Sequence, residues 1–568
     1  VVEVNERFKR FAGFYFLLGC LLSAGQVSQA TPPNVLFIAI DDLNDWVGFL
    51  DGHPQARTPN MDRLARRGVI FTNAHCTSPI CGPSRAAVMT GLQPYHTGLY
   101  TNAANLSRRR TDLVTLPKYF GQQGYHVMGT GKLFHGKSPK NAFHEYGPTS
   151  DSGGQSGGPF TKEELATKKQ NPTHRVDRGV GKLQAILPLN RMPCDRDYRS
   201  SNTFDWGPVD VTDDEMSDGK ANNWAIAQLQ RRHDKPFFLG VGYFRPHQPL
   251  FAPRKYHQLF PVDKVQLPKV ITNDLADLGK VGRDYALIAA TSGLHRTVVQ
   301  YEQWKPAVSS YLACVNFVDT LIGQLLDALD ESSYADNTWI VLWSDHGWHL
   351  GEKQHWGKAT GWERASHVPL VIVPPKKAAL KGFQAGTRCH RMVSLIDLYP
   401  TLIDACQLKS KPELDGKSLL PLVRQPTAAW PEATVITWAR GNHAVQTDRW
   451  RYLHYYDGSE ELYDHRNDSH EWHDLSTQAE HEQQKQHLRQ WVPKNDDVQH
   501  FVRMGKWKAV FPGQKSHLGK DVLLFDTQFR NGIEERTSVA GEHPEIVQQI
   551  RRLLDESVEP GKYLTLDP

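Results

Sequence analysis

The sequence predicts an α/β fold in which helices flank a large mixed, mostly parallel sheet, followed by a smaller antiparallel sheet with a helix. Several apolar runs end abruptly in polar residues, which is typical of parallel strands that are buried on both faces. Segments with helical periodicity separate these runs, and short aromatic strand-like segments follow residue 425. With 568 residues, of which 39% are hydrophobic, the chain can bury one large core and a smaller one.

Four of the apolar runs predict the central strands. They are NVLFIAI, YHVMGT, PFFLGVGYF and TWIVLW, followed in turn by Asp41 and Asp42, Gly131 and Lys132, Arg245 and His247, and Asp345 and His346. Helices are predicted within 112–123, 219–231 and 311–330. Because ligands of parallel sheets gather at the carboxyl ends of the strands, we expect these polar side chains to share one cleft.

Residues 1–30 are predicted to be a signal peptide. A basic start precedes the apolar run FAGFYFLLGCLLSAG, and small residues Ser28 and Ala30 stand where a signal peptidase cleaves. The apolar run is short for a membrane span. We therefore expect an exported protein, periplasmic or secreted, whose mature chain begins at Thr31. The alternative is a lipoprotein that is attached to a membrane through lipid at Cys20.

The remaining chain divides into two parts. Residues 31–425 are expected to form the main domain, with the glycine-rich segment 151–200 as a surface insertion. Residues 426–568 are expected to form a C-terminal subdomain. Two similar segments in it, 450–468 and 507–535, predict two hairpins of one small antiparallel sheet. A chance likeness between two amphipathic hairpins is the alternative.

The charge of the chain is mild. A net charge of +4 and a pI near 8.5 lack the strongly basic face of a nucleic-acid binder, so we expect no nucleic-acid partner. The densest basic run, SRRR at 107–110, is interpreted as a solvated loop.

Seven cysteines are too few and too scattered for a disulfide scaffold. Cys314 lies in a segment whose apolar residues, Tyr311 and Val315 among them, repeat at helical spacing, and is expected to be a small core residue. A disulfide between Cys389 and Cys406 is an open alternative.

Asp41, Asp42, Asp345 and His346 predict a metal site. Carboxylates crowded into one cleft would repel each other unless a divalent cation neutralised them, and such sites suit hard metals. The alternative for each acidic pair is a helix cap or a solvated loop. The histidine leaves the ion open, because imidazole suits zinc at least as well as calcium.

Cys81, in SPICGPSRAAVMTG, allows three interpretations. It is a buried inert thiol, or a thiolate nucleophile assisted by Arg85 and a helix N-terminus. The third interpretation comes from a resemblance. The pattern Cys-x-Pro-Ser-Arg followed by four residues and Thr-Gly is similar to the signature of type I sulfatases, in which the cysteine is oxidised to formylglycine.

The resemblance extends over roughly residues 34–475, and its segments look like their counterparts in iduronate-2-sulfatase and its bacterial relatives, in the same order. It is carried by NVLFIAIDDL, CGPSRAAVMTG, LPKYFGQQGYHVMGTGKLFH, KPFFLGVGYFRPHQP, YLACVNFVDTLIGQLLDALD and SDHGWHLGEKQHWGKATGWERASHVPL. Segment 151–200 and the tail beyond about 495 depart from the pattern. The resemblance implies the alkaline-phosphatase-like fold, with residues 31–425 as its catalytic domain.

The resemblance also implies roles for individual residues. Calcium would be bound by Asp41, Asp42, Asp345, His346 and the modified Cys81. Arg85 would hold the hydroxyls of formylglycine, and Lys132 and Lys358 the sulfate oxygens. His135 would drive the second half-reaction, and His247 would face the leaving group. Taken without the family, the lysines are interpreted as solvated and the histidines as ordinary strand-end residues.

These observations predict an exported sulfatase acting on a sulfated carbohydrate, a polysaccharide or its oligosaccharides, with a formylglycine-generating enzyme as maturation partner. One alternative is a phosphodiester or phosphonate hydrolase of the same superfamily, because fold alone does not separate them. The other is an exported glycan-binding protein without turnover.

Overall fold

The computed structural model describes residues 32–149, 190, 195, 204–289 and 293–494, and short pieces at 501–504, 507–510, 523–526, 541, 543–549 and 565–566. The predicted signal peptide lies outside the described residues, and so does nearly all of the predicted insertion 151–200.

The main part of the chain contains a central eight-stranded sheet and three two-stranded ones. Its strands are β1 (Asn34–Asp41), β2 (Val69–Phe71), β3 (Ala74–His75), β4 (His126–Gly131), β5 (Glu145–Tyr146), β6 (Trp206–Val209), β7 (Phe237–Pro246), β8 (Leu250–Pro253), β9 (Thr338–Ser344), β10 (His349–Leu350), β11 (Trp356–Gly357), β12 (Leu370–Val373), β13 (Thr387–Cys389) and β14 (Val393–Ser394). The central sheet has the order β13-β2-β12-β9-β1-β7-β4-β5. Only β12 runs antiparallel to its neighbours, so the predicted mixed, mostly parallel sheet is confirmed.

The four predicted runs are the four adjacent strands β9, β1, β7 and β4, and all are parallel. Ile40 pairs with Ser344 on one side and with Tyr243 on the other, so the strands end close to one level. Alternate residues of β1 enter different cores: Leu36 and Ile38 pack in one, and Val35 and Phe37 in the other. A strand buried on both faces explains why its sequence reads as a continuous apolar run.

Helices cover both faces of the central sheet, and others pack on the C-terminal sheet. The α-helices of the described residues are α1 (Pro59–Ala65), α2 (Cys81–Thr90), α3 (Pro94–Thr97), α4 (Leu106–Arg109), α5 (Leu116–Gln122), α6 (Ser217–Gln230), α7 (Arg254–His257), α8 (Lys280–Ala286), α9 (His295–Gln300), α10 (Trp304–Asp330), α11 (Glu363–Ser366), α12 (Leu398–Ala405), α13 (Leu420–Arg424) and α14 (Glu482–Arg489). Helix α10 is long and apolar enough to cross a membrane by length and composition, but 78% of its most apolar window is buried inside the protein. Cys314 lies in this core helix, fully buried, as expected.

The described residues of the C-terminal part form two four-stranded sheets. The first is antiparallel and consists of β15 (Ala433–Ala439), β16 (Asn442–Thr447), β17 (Trp450–His454) and β18 (Glu460–Asp464), with α14 packed on it. The second has the order β21-β20-β19-β22 and consists of β19 (Phe501–Met504), β20 (Trp507–Val510), β21 (Leu523–Asp526) and β22 (Thr565–Leu566). The smaller antiparallel sheet with a helix is thus confirmed, whereas the domain boundary near residue 425 stays a prediction.

Three local expectations are corrected. The two predicted hairpins, β17–β18 and β20–β21, do not share a sheet, because each pairs with further strands of its own. The basic run begins in helix α4, not a loop, because the Asn105 side chain caps that helix by accepting from the Ser107 N–H. Cys389 and Cys406 are both free thiols buried in one apolar core, so they form no disulfide.

A substitution at Gly242 of β7 tests how strongly the sheet fixes the position of the Lys132 backbone. A Cβ atom at residue 242 would lie 2.2 Å from the backbone oxygen of Lys132, whose N–H donates to the Gly242 carbonyl. We expect Gly242→Ala to displace Lys132 and to lower the free energy of unfolding by about 1–3 kcal/mol, because the backbone must move. Urea unfolding measures this. Gly279→Ala is the control, since its Cβ would have only Ser459 Cβ within reach, at 4.0 Å. Equal unfolding curves for Gly242→Ala and the unaltered protein would contradict the expectation.

Candidate active site

The carboxyl ends of the four central strands lie side by side at one edge of the sheet. Asp41 ends β1, Asp345 follows β9, Lys132 follows β4 and His247 follows β7. Because these strands are adjacent and parallel, residues that are far apart in the sequence approach each other here. The predicted convergence is present for the aspartates, Lys132, His247 and His346, whereas the Arg245 side chain donates to the Phe251 carbonyl instead.

Cys81 stands at the centre of this cluster. It is the first residue of α2 and is fully buried. Its Sγ lies 2.9 Å from Lys358 Nζ, 3.3 Å from His346 Nε2, 3.3 Å from Asp41 Oδ1 and 3.8 Å from Lys132 Nζ. The thiol thus contacts a carboxylate, an imidazole and two ammonium groups.

The two lysines are paired with carboxylates inside the protein. Lys132 Nζ contacts the Asp41 carboxylate, and Lys358 Nζ lies 2.6 Å from Asp42 Oδ1. Lys132 is 3% exposed and Lys358 is 4% exposed. Lys132 and Lys358 are therefore not the solvated lysines that the sequence indicates when it is interpreted without the family.

Arg85 pairs with the carboxylates from the other side. Its Nε lies 2.7 Å from Asp345 Oδ2, a second guanidinium nitrogen lies 3.6 Å from Asp41 Oδ1, and a third donates to the Lys132 carbonyl. All of these side chains are buried, so Arg85 compensates two charges that solvent does not reach. The contact to the modified residue 81 that the resemblance implies stays a prediction.

The charges of the cluster shift its pKa values. Burial raises the pKa of the Cys81 thiol, but Lys132, Lys358 and His346 outweigh burial and hold it well below its usual range. Burial, together with repulsion from Asp41, outweighs Arg85 and raises the pKa of Asp345 to about 7. The lowered pKa of Cys81 favours the thiolate of the unmodified cysteine over the inert thiol.

Asp41 and His346 shift in opposite directions. The pKa of Asp41 lies well below its ordinary value, because the cations Lys132 and Arg85 outweigh burial and the Cys81 charge. Burial lowers the pKa of His346, but Asp345 outweighs burial and raises it to about 9. These shifts describe the cluster before any cation binds.

The donor set fits a divalent cation. The potential ligand atoms of Asp41, Cys81, Asp345 and His346 all lie within 4.8 Å of one another, and a second group of this kind contains Asp42. Asp42 Oδ2 is buried and has no hydrogen-bond partner. Three carboxylates, one of which has an oxygen without a hydrogen-bond partner, form a donor set that suits a hard divalent cation.

The orientation of His346 also fits a ligand. Its Nδ1 is 3.0 Å from the Gly347 carbonyl, which fixes the proton on Nδ1. Nε2 then faces Cys81 and Asp42 Oδ1, the latter at 3.4 Å, and would offer its lone pair to a cation once the cation displaces the proton on Nε2. A backbone hydrogen bond that orients the ring in this way is typical of histidine ligands.

The two further predicted histidines lie on the more open side. His247 Nδ1 donates to the Gln248 carbonyl at 2.5 Å, so Nε2 faces the cluster, 3.8 Å from Asp42 Oδ2. His135 lies close enough to Cys81 to lower the pKa of its thiol, and its buried Nδ1 has no hydrogen-bond partner. A surface pocket adjoins it, lined by Gly82, Ala86, Asn102, Ala104, Asn105, Leu106, Phe134, His135 and Lys137.

Sequence reasoning missed the residues that hold the cluster's backbone. Ser84 Oγ donates to the Asp345 carbonyl at 2.6 Å, and Asn102 Oδ1 accepts from the Gly82 N–H at 2.7 Å. Tyr311 Oη donates to the Asp42 carbonyl at 2.8 Å. The position of Ser84 inside the Cys81 motif is a sequence signal that could have pointed to its role. Tyr311 has no such signal, because its helical spacing indicates only a core residue.

Comparison with known proteins decides the family. The family model described as Sulfatase matches residues 33–408, more than half of the chain. The chain belongs to the sulfatase family. A second model, N-sulphoglucosamine sulphohydrolase, C-terminal, matches residues 351–497 of this sulfatase.

Two relatives cover most of the sulfatase chain. A sulfatase of Formosa agariphila is 38% identical over 476 residues, covering 81% of this chain and 87% of the relative. The iduronate 2-sulfatase of Mus musculus is 31% identical and covers 71% and 75%. The resemblance to this branch of the family is thereby confirmed, and the sulfatase is a sulfuric ester hydrolase.

Two solved structures share the fold of the sulfatase. An enzyme in complex with its substrate D-glucosamine-2-N,6-O-disulfate has a TM-score of 0.61 and 22% identity, covering 81% of this chain and 97% of that one. The phosphonate monoester hydrolase of Agrobacterium radiobacter has a TM-score of 0.62 and 22% identity, covering 81% and 94%. The expected alkaline-phosphatase-like fold is confirmed.

The contact between Lys358 and Cys81 makes the thiolate testable. In metal-free sulfatase with an unmodified cysteine, we expect thiolate ultraviolet absorbance near neutral pH, and its loss in Cys81→Ser. Lys358→Met should raise the thiol pKa and so reduce that absorbance, because the ammonium group 2.9 Å away is removed. Burial raises the pKa of Cys76, Cys314, Cys389 and Cys406, which should stay protonated.

Lys353→Met is the matched control for Lys358→Met. Lys353 is 2% exposed and pairs with Asp274 at 2.8 Å, away from Cys81. The Lys353→Met variant should leave the thiolate absorbance unchanged. A loss of absorbance in both variants, or in neither, would contradict the assigned role of Lys358.

Proposed function

We propose that this sulfatase releases sulfate from a sulfated carbohydrate, a polysaccharide or its oligosaccharides, by means of a formylglycine made from Cys81. The observation that carries the proposal is the position of Cys81. It begins a helix, where the positive end of the helix dipole favours negative charge, and it lies between Lys132 and Lys358. Both lysines can bind the oxygens of a sulfuryl group that approaches residue 81.

We further propose that the cation of this site is calcium. Asp41, Asp42, Asp345 and His346 would hold it, together with modified Cys81. When bound, the cation supplies Lewis acidity toward the sulfate oxygens and the attacking hydroxyl group. Three carboxylates favour calcium, although the imidazole also suits zinc.

Formylglycine supplies what a cysteine lacks. Its hydrated aldehyde has two hydroxyl groups, one to attack sulfur and one whose deprotonation expels sulfate and restores the aldehyde. The enzyme that generates formylglycine is the proposed maturation partner. Cys81 shares its cluster with cations on several sides, which would stabilise the negative charge of either the thiolate or the attacking oxygen.

The proton transfers fall to the two histidines. His247 is proposed to donate a proton to the departing alcohol as the S–O bond breaks, from its Nε2, which lies 3.8 Å from Asp42 Oδ2. His135, which lies beside residue 81, is proposed to accept the proton of the second hydroxyl. Lys132, Lys358 and Arg85 keep the anionic groups in place throughout.

The substrate class is supported by the relatives. One is an iduronate 2-sulfatase, and one structural neighbour was solved with a glucosamine disulfate. We propose that this chain acts on the same class, outside the cytoplasm, as residues 1–30 predict. The pocket beside His135 contains asparagine and lysine side chains, which suit the hydroxyl and anionic groups of a sulfated sugar.

The proposed chemistry is tested on active, purified protein. Mass spectrometry of the peptide with Cys81 should show formylglycine, with oxygen in place of sulfur and two hydrogens lost. Aryl sulfate should be turned over faster than aryl phosphate or phosphonate, Cys81→Ala should be inactive, and a panel of sulfated glycans should identify the sugar.

Two results would contradict this proposal. Full activity with an unmodified Cys81 thiol would exclude the formylglycine mechanism. Tight glycan binding without sulfate release, from material shown to contain formylglycine, would favour the binding protein instead.

The two histidines are expected to differ in their substrate dependence. His247→Ala should lower kcat/KM for sugar sulfates by about 10²–10⁴-fold and much less for aryl sulfates, because phenolates leave without a proton. His135→Ala should give a burst of phenol followed by a stall, with sulfate retained on the protein. Stopped-flow absorbance and intact-protein mass spectrometry measure both. Equal losses on the two substrate classes for His247→Ala, or no burst for His135→Ala, would remove the corresponding role.

A further inference from the structure

Tyr311 connects the longest helix to the backbone next to the proposed cation site. Its hydroxyl donates to the Asp42 carbonyl at 2.8 Å and accepts from the Asn44 N–H at 3.0 Å. The side chain is fully buried, and its ring packs edge-on against Trp46, with centroids 5.5 Å apart. One hydroxyl thus satisfies two backbone groups that water cannot reach.

The backbone that Tyr311 holds is strained. Asp42 has φ of +61°, in the left-handed region that residues other than glycine rarely adopt. Such a conformation persists only where its surroundings impose it. Here the Asp42 N–H donates to Asp345 Oδ1 at 3.2 Å, and the carbonyl is held by Tyr311.

The strained turn determines where the Asp42 carboxylate points. With the chain turned away from the line of β1, Oδ1 lies 2.6 Å from Lys358 Nζ and 3.4 Å from His346 Nε2. Oδ2 stays buried without a hydrogen-bond partner. An extended Asp42 would follow the pleat of β1 instead, because successive side chains of a strand alternate in direction.

We propose that Tyr311 is a positioning residue for the cation site, which it builds by holding Asp42 in the left-handed conformation. It acts through Asp42 and does not touch the reacting atoms. The inference rests on the proposed function only in that a divalent cation binds at Asp41, Asp42, Asp345 and His346. Partners that orient metal ligands in this way commonly account for about 10–100-fold in metal affinity.

The test measures calcium affinity rather than activity. Calcium is titrated calorimetrically into metal-free protein, as the unaltered chain, as Tyr311→Phe and as Tyr243→Phe. Tyr243 is the matched control: it is fully buried, and its hydroxyl donates to Asn222 Oδ1 at 2.7 Å, in the same core. Both variants lose one buried hydroxyl, so both should unfold at a lower temperature. Only Tyr311→Phe should bind calcium more weakly, with Kd raised by about 10–100-fold.

An unnatural amino acid distinguishes the contribution of the Tyr311 hydrogen bond from that of the ring's packing. A chain with 4-aminophenylalanine in place of Tyr311 keeps a donor at the same ring position and should recover most of the calcium affinity. If Tyr311→Phe is isolated unfolded, its refolding is titrated with calcium. The midpoint should then lie at a calcium concentration about 10–100-fold above that of Tyr243→Phe.

The outcomes distinguish this inference from the proposed function. If the unaltered chain binds calcium and Tyr311→Phe binds it equally well, the positioning role is wrong while the proposed function stands. Equal weakening in Tyr311→Phe and Tyr243→Phe would also overturn the role, because it would reduce Tyr311 to a general core contact. If the unaltered chain does not bind calcium, the proposed cation is wrong and this inference falls with it.

Discussion

The structure depends on the neutralisation of three buried carboxylates at the carboxyl ends of parallel strands. Asp41, Asp42 and Asp345 are inaccessible to water, and an unpaired charge at such a place would cost several kcal/mol. Lys132, Lys358 and Arg85 supply the compensating charges. Each cation comes from a different element, so the sheet, α2 and the chain after β11 must all be in place for the cluster to form.

The close packing around the cluster follows from this constraint. β7 has glycine at residue 242, where a side chain would collide with the Lys132 backbone. Ser84 and Tyr311 donate to the carbonyl groups of Asp345 and Asp42, so the backbone is paired wherever the charged side chains are crowded. Helix α10 therefore serves the cleft as well as the core, through the one hydroxyl group that it presents there.

The sequence predicted the parts of the fold and of the site that depend on local patterns, namely the central strands and the polar residues at their ends. β1, β4, β7 and β9 were found because each is an apolar run that stops at polar residues, and parallel topology then placed Asp41 near Asp345. Contacts that depend on tertiary packing were not predictable. Helical periodicity assigns Tyr311 to the core but cannot show that its hydroxyl reaches Asp42. Likewise the hairpin β20–β21 was recognised, but flanking strands β19 and β22 decide which sheet it joins.

The pairing of Lys132 and Lys358 with aspartates has a thermodynamic consequence. A lysine that turns to an anionic substrate leaves its aspartate partner as an uncompensated buried charge. The lysine can therefore leave the aspartate at low cost in free energy only when another positive charge has taken the place of the lysine. Binding of the proposed cation and binding of the anion would therefore be linked. Each would raise the affinity for the other by the same factor, as reciprocity requires. Under the proposed function, Lys132 and Lys358 would act as exchangeable counter-ions of Asp41 and Asp42, and the cation and the anion would bind cooperatively.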